Sequence, residues 1–397
     1  MRNPLRLVGR LLRHTLLPTG SGGPRTPRRV LVLVPFLLLY LLLQGLHWIG
    51  FLLDELLFPG YRRVRVREPL FVVGLPRSGT SFLQRVLADD RERFTTLRLW
   101  ELLLAPSVTE RKLWLALGRL DRWLGRPVGR LVRRAGARGF AFMEAVHQVR
   151  LDEPEEDYFL LLPVFACFLL VVAWPDHPEV WRLTRFDAWP EAERARILRF
   201  YRSCLQRHLY VVGPDRRILS KNPSFTPMVR SLAETFPDAR FVCCVRDPRE
   251  AVPSLLSSLR AGADLFGWRV EEPAYRDRFV DMARRFGEHA LTSLEPGRSV
   301  WVPLHRFSED VAGTVRRVYR HFGWRPGEEM EAALRRRTAA SRRHRSAHRY
   351  DLAEFDLDPA ALERSFEALY RTFDFPTGSA PDPAAAGSPD TRLPGAP

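Results

Sequence analysis

The sequence predicts an α/β fold, a parallel sheet flanked by helices, preceded by an N-terminal hydrophobic helical segment. Three observations carry that prediction. Short β-branched and aromatic runs at 71–73, 218–220, 240–245 and 300–304 alternate with longer helix-periodic stretches, the order expected of strands joined by helical crossovers. The first run passes through Gly74-Leu75-Pro76-Arg77-Ser78-Gly79 straight into an apolar-periodic helix at 80–89, a strand–loop–helix unit. Ahead of this, Val30 to Leu53 runs 24 residues without a charge.

Taken in order, residues 1–29 hold seven arginines and no acid, with Gly, Pro and Ser clustered at 18–27, and read as a basic mobile arm. The segment 30–60 follows. A bilayer needs about 20 apolar residues, so its charge-free run is long enough to span. Gln44-Gly45 and His47 interrupt it, which leaves three readings: a single span, a shallow hairpin turning at Gln44-Gly45, or a helix buried on the domain. Arg62, Arg63, Arg65 and Arg67 lie beyond it, so arginines flank both ends and loop charge gives no orientation. The expectation is a membrane-associated segment whose removal costs the following domain little, with that domain on the cytoplasmic side.

The α/β domain itself is expected over 61–375. It opens with a strand at 64–74, the Gly-bounded turn and its helix. Residues 97–150 look mainly helical, with Leu113, Leu117, Leu120 and Leu124 in register. Tyr158 to Trp174 is a second apolar run, short for a span and broken by Pro163, and reads as a buried helix. Helical periodicity returns at 190–209. Thr226 reads as an N-cap with Pro227 at the first helical position, opening a helix to Phe236. Further helices are expected at 249–259 and 308–322. Residues 376–397 hold six prolines and read as a disordered tail.

The chain of 397 residues carries a formal charge of +16, and all but Lys112 and Lys221 of its 62 basic residues are arginine. The basic residues are dispersed and no nucleic-acid module is present, so nucleic acid is not the expected partner. An anionic cofactor and a membrane surface account for the excess more simply. Cys167, Cys204, Cys243 and Cys244 have no framework or metal spacing and read as buried thiols.

Chemistry concentrates at two strand ends. The turn at 74–81 fits G-x-x-x-x-G-K-[ST] except that Thr80 replaces the lysine, giving a P-loop-like cradle. Backbone N–H groups and a helix N-terminus converge there, a ready anion site, with Arg77, Ser78, Gly79, Thr80 and Ser81 around it. A nucleotide-phosphate kinase or NTPase is one reading of such a cradle, but the lysine that reaches the outer phosphates is missing. The second site is Arg246, at the end of the 240–245 run, with Ser254 eight residues on in the next helix. A guanidinium fork and a hydroxyl at that spacing suit a phosphate.

Together these two motifs resemble the 5′-phosphosulfate loop and the 3′-phosphate site of sulfotransferases that use 3′-phosphoadenosine 5′-phosphosulfate (PAPS). The resemblance covers roughly 61–375 and extends to a large bacterial branch with a P-R-S-G-T loop and an E-P-E-E-D stretch, here Glu153 to Asp157. It implies sulfuryl transfer from PAPS to a hydroxyl or amine of a small or lipophilic acceptor, without a metal. Lys221 matches the family's strand-end lysine, a compact charge for the oxygen between phosphorus and sulfur. The histidine that serves as base in cytosolic relatives is absent from Lys221-Asn222-Pro223. Glu153 is therefore the first candidate base, Glu156 the second, and His147 a weaker one. The basic stretch 342–350 matches in position a loop that closes over the 3′-phosphate. A membrane-anchored nucleotide binder without turnover is the non-catalytic alternative.

Overall fold

The computed structural model describes residues 4–16, 27–127, 151, 153–343 and 352–375. Its centre is a five-stranded, all-parallel sheet in the order β2-β3-β1-β4-β5. The strands are β1 (Leu70–Gly74), β2 (Phe94–Thr95), β3 (Arg217–Lys221), β4 (Arg240–Val245) and β5 (Ser299–Pro303). β1 is buried along its whole length, as its unbroken Leu-Phe-Val-Val run requires of a strand covered on both faces. It is shorter than the 64–74 expected, because pairing with β3 and β4 begins only at Leu70.

The pleat sends alternate residues to two cores. Phe71, Val73, Phe241 and Cys243 face a large one, whereas Leu70, Val72, Val242 and Cys244 face a smaller one. Helix α1 (Pro4–Leu16) and helix α2 (Pro27–Leu57) both contribute to the large core. The smaller core is covered by α3 (Thr80–Leu87) through Leu83, Val86 and Leu87, and by the Val311–His321 helix through Val315 and Val318.

The N-terminal region departs from the sequence reading. Residues 4–16 are not an irregular arm but an amphipathic helix, with Leu7, Val8 and Leu11 buried and arginines outward. Thr15 accepts from the Trp174 indole at 3.0 Å. α2 runs unbroken through Gln44-Gly45, so of the three readings the hairpin turn is not formed. Its buried stripe, Leu33, Leu37, Tyr40, Gln44, His47, Phe51 and Asp54, repeats every three to four residues and packs on the domain. Asp54 is fully buried. It accepts from the backbone N–H groups of Val108 and Thr109 (2.9 and 2.8 Å) and from Arg207 Nε at 2.8 Å. It thus caps the helix that begins at Val108 and ties α2 to the long Glu191–Val212 helix. One face of the segment thus packs on the domain, where the sequence reading expected its removal to cost little.

Other elements follow the sequence with local changes. The helical stretch expected from 97 forms α4 (Leu99–Leu104) and α5 (Val108–Trp123), after which 128–150 lies outside the described residues. The Tyr158–Trp174 run is a 3₁₀ segment, Asp157–Val164, then a break at Phe165 and the short helix α6 (Leu169–Ala173). Pro163 lacks an amide hydrogen and Phe165 sits at φ 57°, so one continuous helix is not available there. The candidate His147, residues 344–350 and the tail 376–397 also fall outside the described residues.

Candidate active site

Parallel sheets bind ligands outside the carboxyl ends of their strands, where neighbouring connections leave in opposite directions. Here that point lies between β1, whose chain leads toward β2 and β3, and β4, whose chain leads to β5. A cleft of about 520 Å³ opens there. A second cleft, of about 660 Å³, lies at the opposite ends of the strands, lined by Arg67, Glu68, Arg217 and Asp238. It is the larger of the two, but it sits where the strands begin, away from the turn after β1 and from Arg246 and Ser254.

The turn after β1 is shaped by close packing. Gly74 has φ 130°, and a Cβ there would fall 2.0 Å from the Cys244 carbonyl oxygen. Thr226 holds the same residue from the other side, its hydroxyl accepting from Gly74 N (2.9 Å) and donating to Gly74 O (2.8 Å). Thr226 therefore lies within a 3₁₀ segment, Pro223–Met228, and does not cap a helix as expected. Gly79, with φ 85°, packs on Leu304, whose Cδ1 would be 2.4 Å from a Cβ. Only a chain without side chains at these positions can turn this tightly into α3. Arg77 takes a left-handed φ of 66°, strain of the kind stored at functional turns.

That conformation carries the Arg77 side chain across to the second motif. Its Nε donates to Ser254 Oγ at 3.0 Å, and the Arg246 guanidinium lies 3.3 Å from the Arg77 carbonyl. The two motifs, 169 residues apart in sequence, thus share one hydrogen-bonded cluster. Arg246 also pairs with Glu250 at 2.8 Å, one turn along α7 (Pro248–Phe266). Arg77, Gly79, Thr80, Ser81, Arg246 and Ser254 all line the cleft. Ser78 does not line it; its hydroxyl donates to Leu75 O at 2.6 Å and fixes the turn from within.

β3 delivers Lys221 beside the cleft. Its ammonium is buried and pairs with Glu156 at 2.8 Å, with Glu155 further off at 3.8 Å. Glu156 lines the cleft; Glu153 does not. Backbone bonds explain the difference. Leu99 N donates to the Glu153 carbonyl (3.2 Å) and Glu155 N to Leu97 O (3.0 Å), so the start of the acid run is stitched to the chain before α4 and only its end reaches the site.

Asp157 was not distinguishable from its acidic neighbours by sequence, yet it organises the floor. It is buried and accepts from the Tyr201 hydroxyl, the Asn222 amide and, at 2.8 Å, the Ser220 hydroxyl. Asn222 in turn accepts from Tyr158 N at 3.2 Å. Burial pushes the Asp157 carboxyl up to about 6, against the opposing pull of these donors. Nothing in the periodicity around Tyr201 marks it, since it sits on the inward face of a long helix like any core residue.

Much of the remaining lining of the cleft is apolar: Tyr158, Phe168, Val172, Leu255, Leu259 and Leu304. The structure thus defines a parallel α/β protein with an anion cradle, two arginines and a lysine–carboxylate pair around one half-apolar cleft. The chain belongs to the sulfotransferase family, whose profile matches residues 69–328. Two relatives, from Mycobacterium bovis and Mycobacterium tuberculosis, are both called omega-hydroxy-beta-dihydromenaquinone-9 sulfotransferase Stf3. Each is 26% identical over 267 residues, 64% of this chain and 62% of the relative, so the chain spans under two thirds of their length. Among solved structures, sulfotransferase STF9 from Mycobacterium avium matches with a TM-score of 0.69 at 22% identity, covering 95% of this chain and 98% of that one. STF1 from Mycobacterium tuberculosis matches with a TM-score of 0.63 at 20% identity, covering 92% of each. At these identities the two structures attest the fold.

Proposed function

We propose that the protein transfers a sulfuryl group from PAPS to a hydroxyl of a lipophilic acceptor. The observation that carries this reading is the joining of Arg77, Ser254 and Arg246 beside the Lys221–Glu156 pair, facing an apolar wall. The donor set fits a nucleotide with phosphates at both ends. Arg246 and Ser254 would hold the 3′-phosphate, and the cradle N–H groups with Thr80 and Ser81 the 5′ end. The lysine of an NTPase loop is replaced by Thr80, the first residue of α3, which disfavours a kinase or NTPase.

In this reading Glu156, rather than Glu153, takes the proton from the acceptor hydroxyl, because only Glu156 reaches the cleft. The acceptor oxygen bonds to sulfur as the bond from sulfur to the bridging oxygen breaks. Lys221 and Arg77 stabilise the charge that collects on the bridging and sulfonate oxygens. The relatives' name specifies a hydroxylated menaquinone, and an acceptor of that lipophilic class suits Tyr158, Phe168 and Val172 here. The test is transfer of labelled sulfate from PAPS to lipid extracts, with calorimetry of adenosine 3′,5′-bisphosphate. Equal affinity for that compound and for AMP would refute the assigned 3′-phosphate site.

A further inference from the structure

α2 is apolar on every side, but only one side is covered. Opposite the buried stripe, Leu31, Leu38, Leu39, Leu42, Leu46, Ile49, Leu52 and Leu56 are each more than half exposed. No polar side chain interrupts this second stripe. Over 31 residues the helix is about 46 Å long at 1.5 Å per residue. Exposed apolar faces of this extent mark an interaction surface.

Both ends of the helix are fastened to the same domain by buried ion pairs. Arg29 meets Asp176 at 3.1 Å, and Asp54 meets Arg207 at 2.8 Å. A helix crossing a bilayer would have to carry one end to the far side, breaking a buried pair and stripping its inner stripe from the core. Charge decides between the remaining occupants. Exposed arginines lie on the segments before and after α2: Arg6 and Arg13 on α1, and Arg62, Arg63 and Arg65 just beyond its C-terminus. A second copy laid on the stripe, parallel or antiparallel, would set one arginine cluster against another. An anionic lipid surface meets both clusters with opposite charge.

We propose that the protein docks in the plane of an anionic membrane through the outer stripe of α2, without spanning it, so that an acceptor dissolved in lipid reaches the cleft. The last clause rests on the sulfotransferase reading above; the docking does not. The apolar wall of the cleft is carried by elements packed on the inner stripe. The Tyr40 hydroxyl donates to Leu162 O, the Trp48 indole to Pro163 O at 3.2 Å, and the Phe36 ring meets Phe266 of α7 at 5.1 Å. Trp48, half exposed at the edge of the stripe, suits the headgroup level.

The full chain should co-sediment with vesicles of phosphatidylcholine and phosphatidylglycerol, and less with phosphatidylcholine alone or at high salt. Changing Leu38→Glu, Leu42→Glu and Ile49→Glu together should cut partitioning by roughly a hundredfold or more. The variant should keep its circular dichroism, its affinity for adenosine 3′,5′-bisphosphate and its turnover on a soluble acceptor, while losing turnover on vesicle-borne acceptor. Should that variant not fold, single-cysteine changes in the otherwise native chain serve instead. Arg6→Cys and Arg63→Cys should both react with a membrane-impermeant thiol reagent on vesicle-bound protein. Protection of one of them would mean a span and overturn the proposal. So would vesicle binding that survives the triple change, or a wild-type dimer that ignores vesicles and falls to monomer in the variant. Loss of nucleotide binding with docking intact would instead refute only the enzymatic reading.

Discussion

Two buried aspartates hold the molecule together at opposite places and by opposite means. Asp54 anchors α2, and its charge meets the Arg207 guanidinium together with two backbone N–H groups and the Thr109 hydroxyl. Asp157 lies under the cleft and meets only neutral donors, from Tyr201, Ser220 and Asn222. The first arrangement neutralises a charge and fastens one helix to two others. The second leaves a carboxyl whose ionisation is opposed by burial, directly between Glu156 and Tyr158, both of which line the cleft. A protein can bury an acid as an anchor by giving it a cation. Giving it hydroxyls and an amide sets the register of a site instead.

The largest expected effect is at the anchor. Asp54→Ala leaves the Arg207 guanidinium buried with Glu55 as its one remaining carboxylate and removes the acceptor of the Val108 and Thr109 N–H groups, and should cost about 3–5 kcal/mol in chemical denaturation. Deleting residues 1–60 removes Leu33, Leu37, Tyr40 and Phe51 from the core as well, and should abolish the cooperative transition. A chain starting at Tyr61 that still unfolds cooperatively would show that α2 is an appendage and that the anchor has been overrated.

At the site, Lys221→Ala should lower kcat by roughly 10²–10³-fold while affinity for adenosine 3′,5′-bisphosphate falls far less, since its charge is assigned to the transferring group. Glu156→Gln should do the same, and Glu153→Gln should not. The reverse pattern would return the base to the start of the acid run. Arg246→Ala comes next. Calorimetry should show a loss of about 2–4 kcal/mol in that nucleotide's binding, as for one partner removed from a charged hydrogen-bonded pair.

How much of this was written in the sequence differs between the same two regions. Four of the five strands, the cradle and the Arg246–Ser254 spacing were legible because they depend on short-range pattern. A β-branched run, a glycine that must turn and a residue eight positions along a helix are all local. That Glu156 and not Glu153 reaches the cleft was not legible, because it depends on backbone bonds from 97–99 that no spacing encodes. The same holds for Asp157, whose partners come from β3, the segment after it and a separate helix. For α2, composition announced an apolar helix but not which side is covered. Apolar residues on all faces satisfy a span, a core helix and an in-plane helix equally; which side is covered, and that Arg29 and Asp54 are paired to the domain, depends on contacts distant in sequence.

The smallest effect separates the two aspartates most cleanly. Asp157→Asn keeps the shape of the side chain and should change stability at neutral pH by only about 1 kcal/mol. Its mark should be a slope. In the unfolded chain this carboxyl titrates near the ordinary value of 3.8, and in the folded chain near about 6. Between those values the folded state keeps a proton that the unfolded state has released, so this group's contribution to stability falls as pH rises from about 4 to 6. Carboxylates held low by arginines, such as Asp281 and Glu331, contribute with the opposite sign at lower pH. The difference between wild type and variant therefore isolates Asp157. Wild type should lose ground to Asp157→Asn as pH climbs through that window, measured by urea midpoints at fixed ionic strength. A difference that stays flat would mean that the neutral donors hold the carboxylate ionised throughout, and the two buried aspartates would then be alike in charge if not in partners.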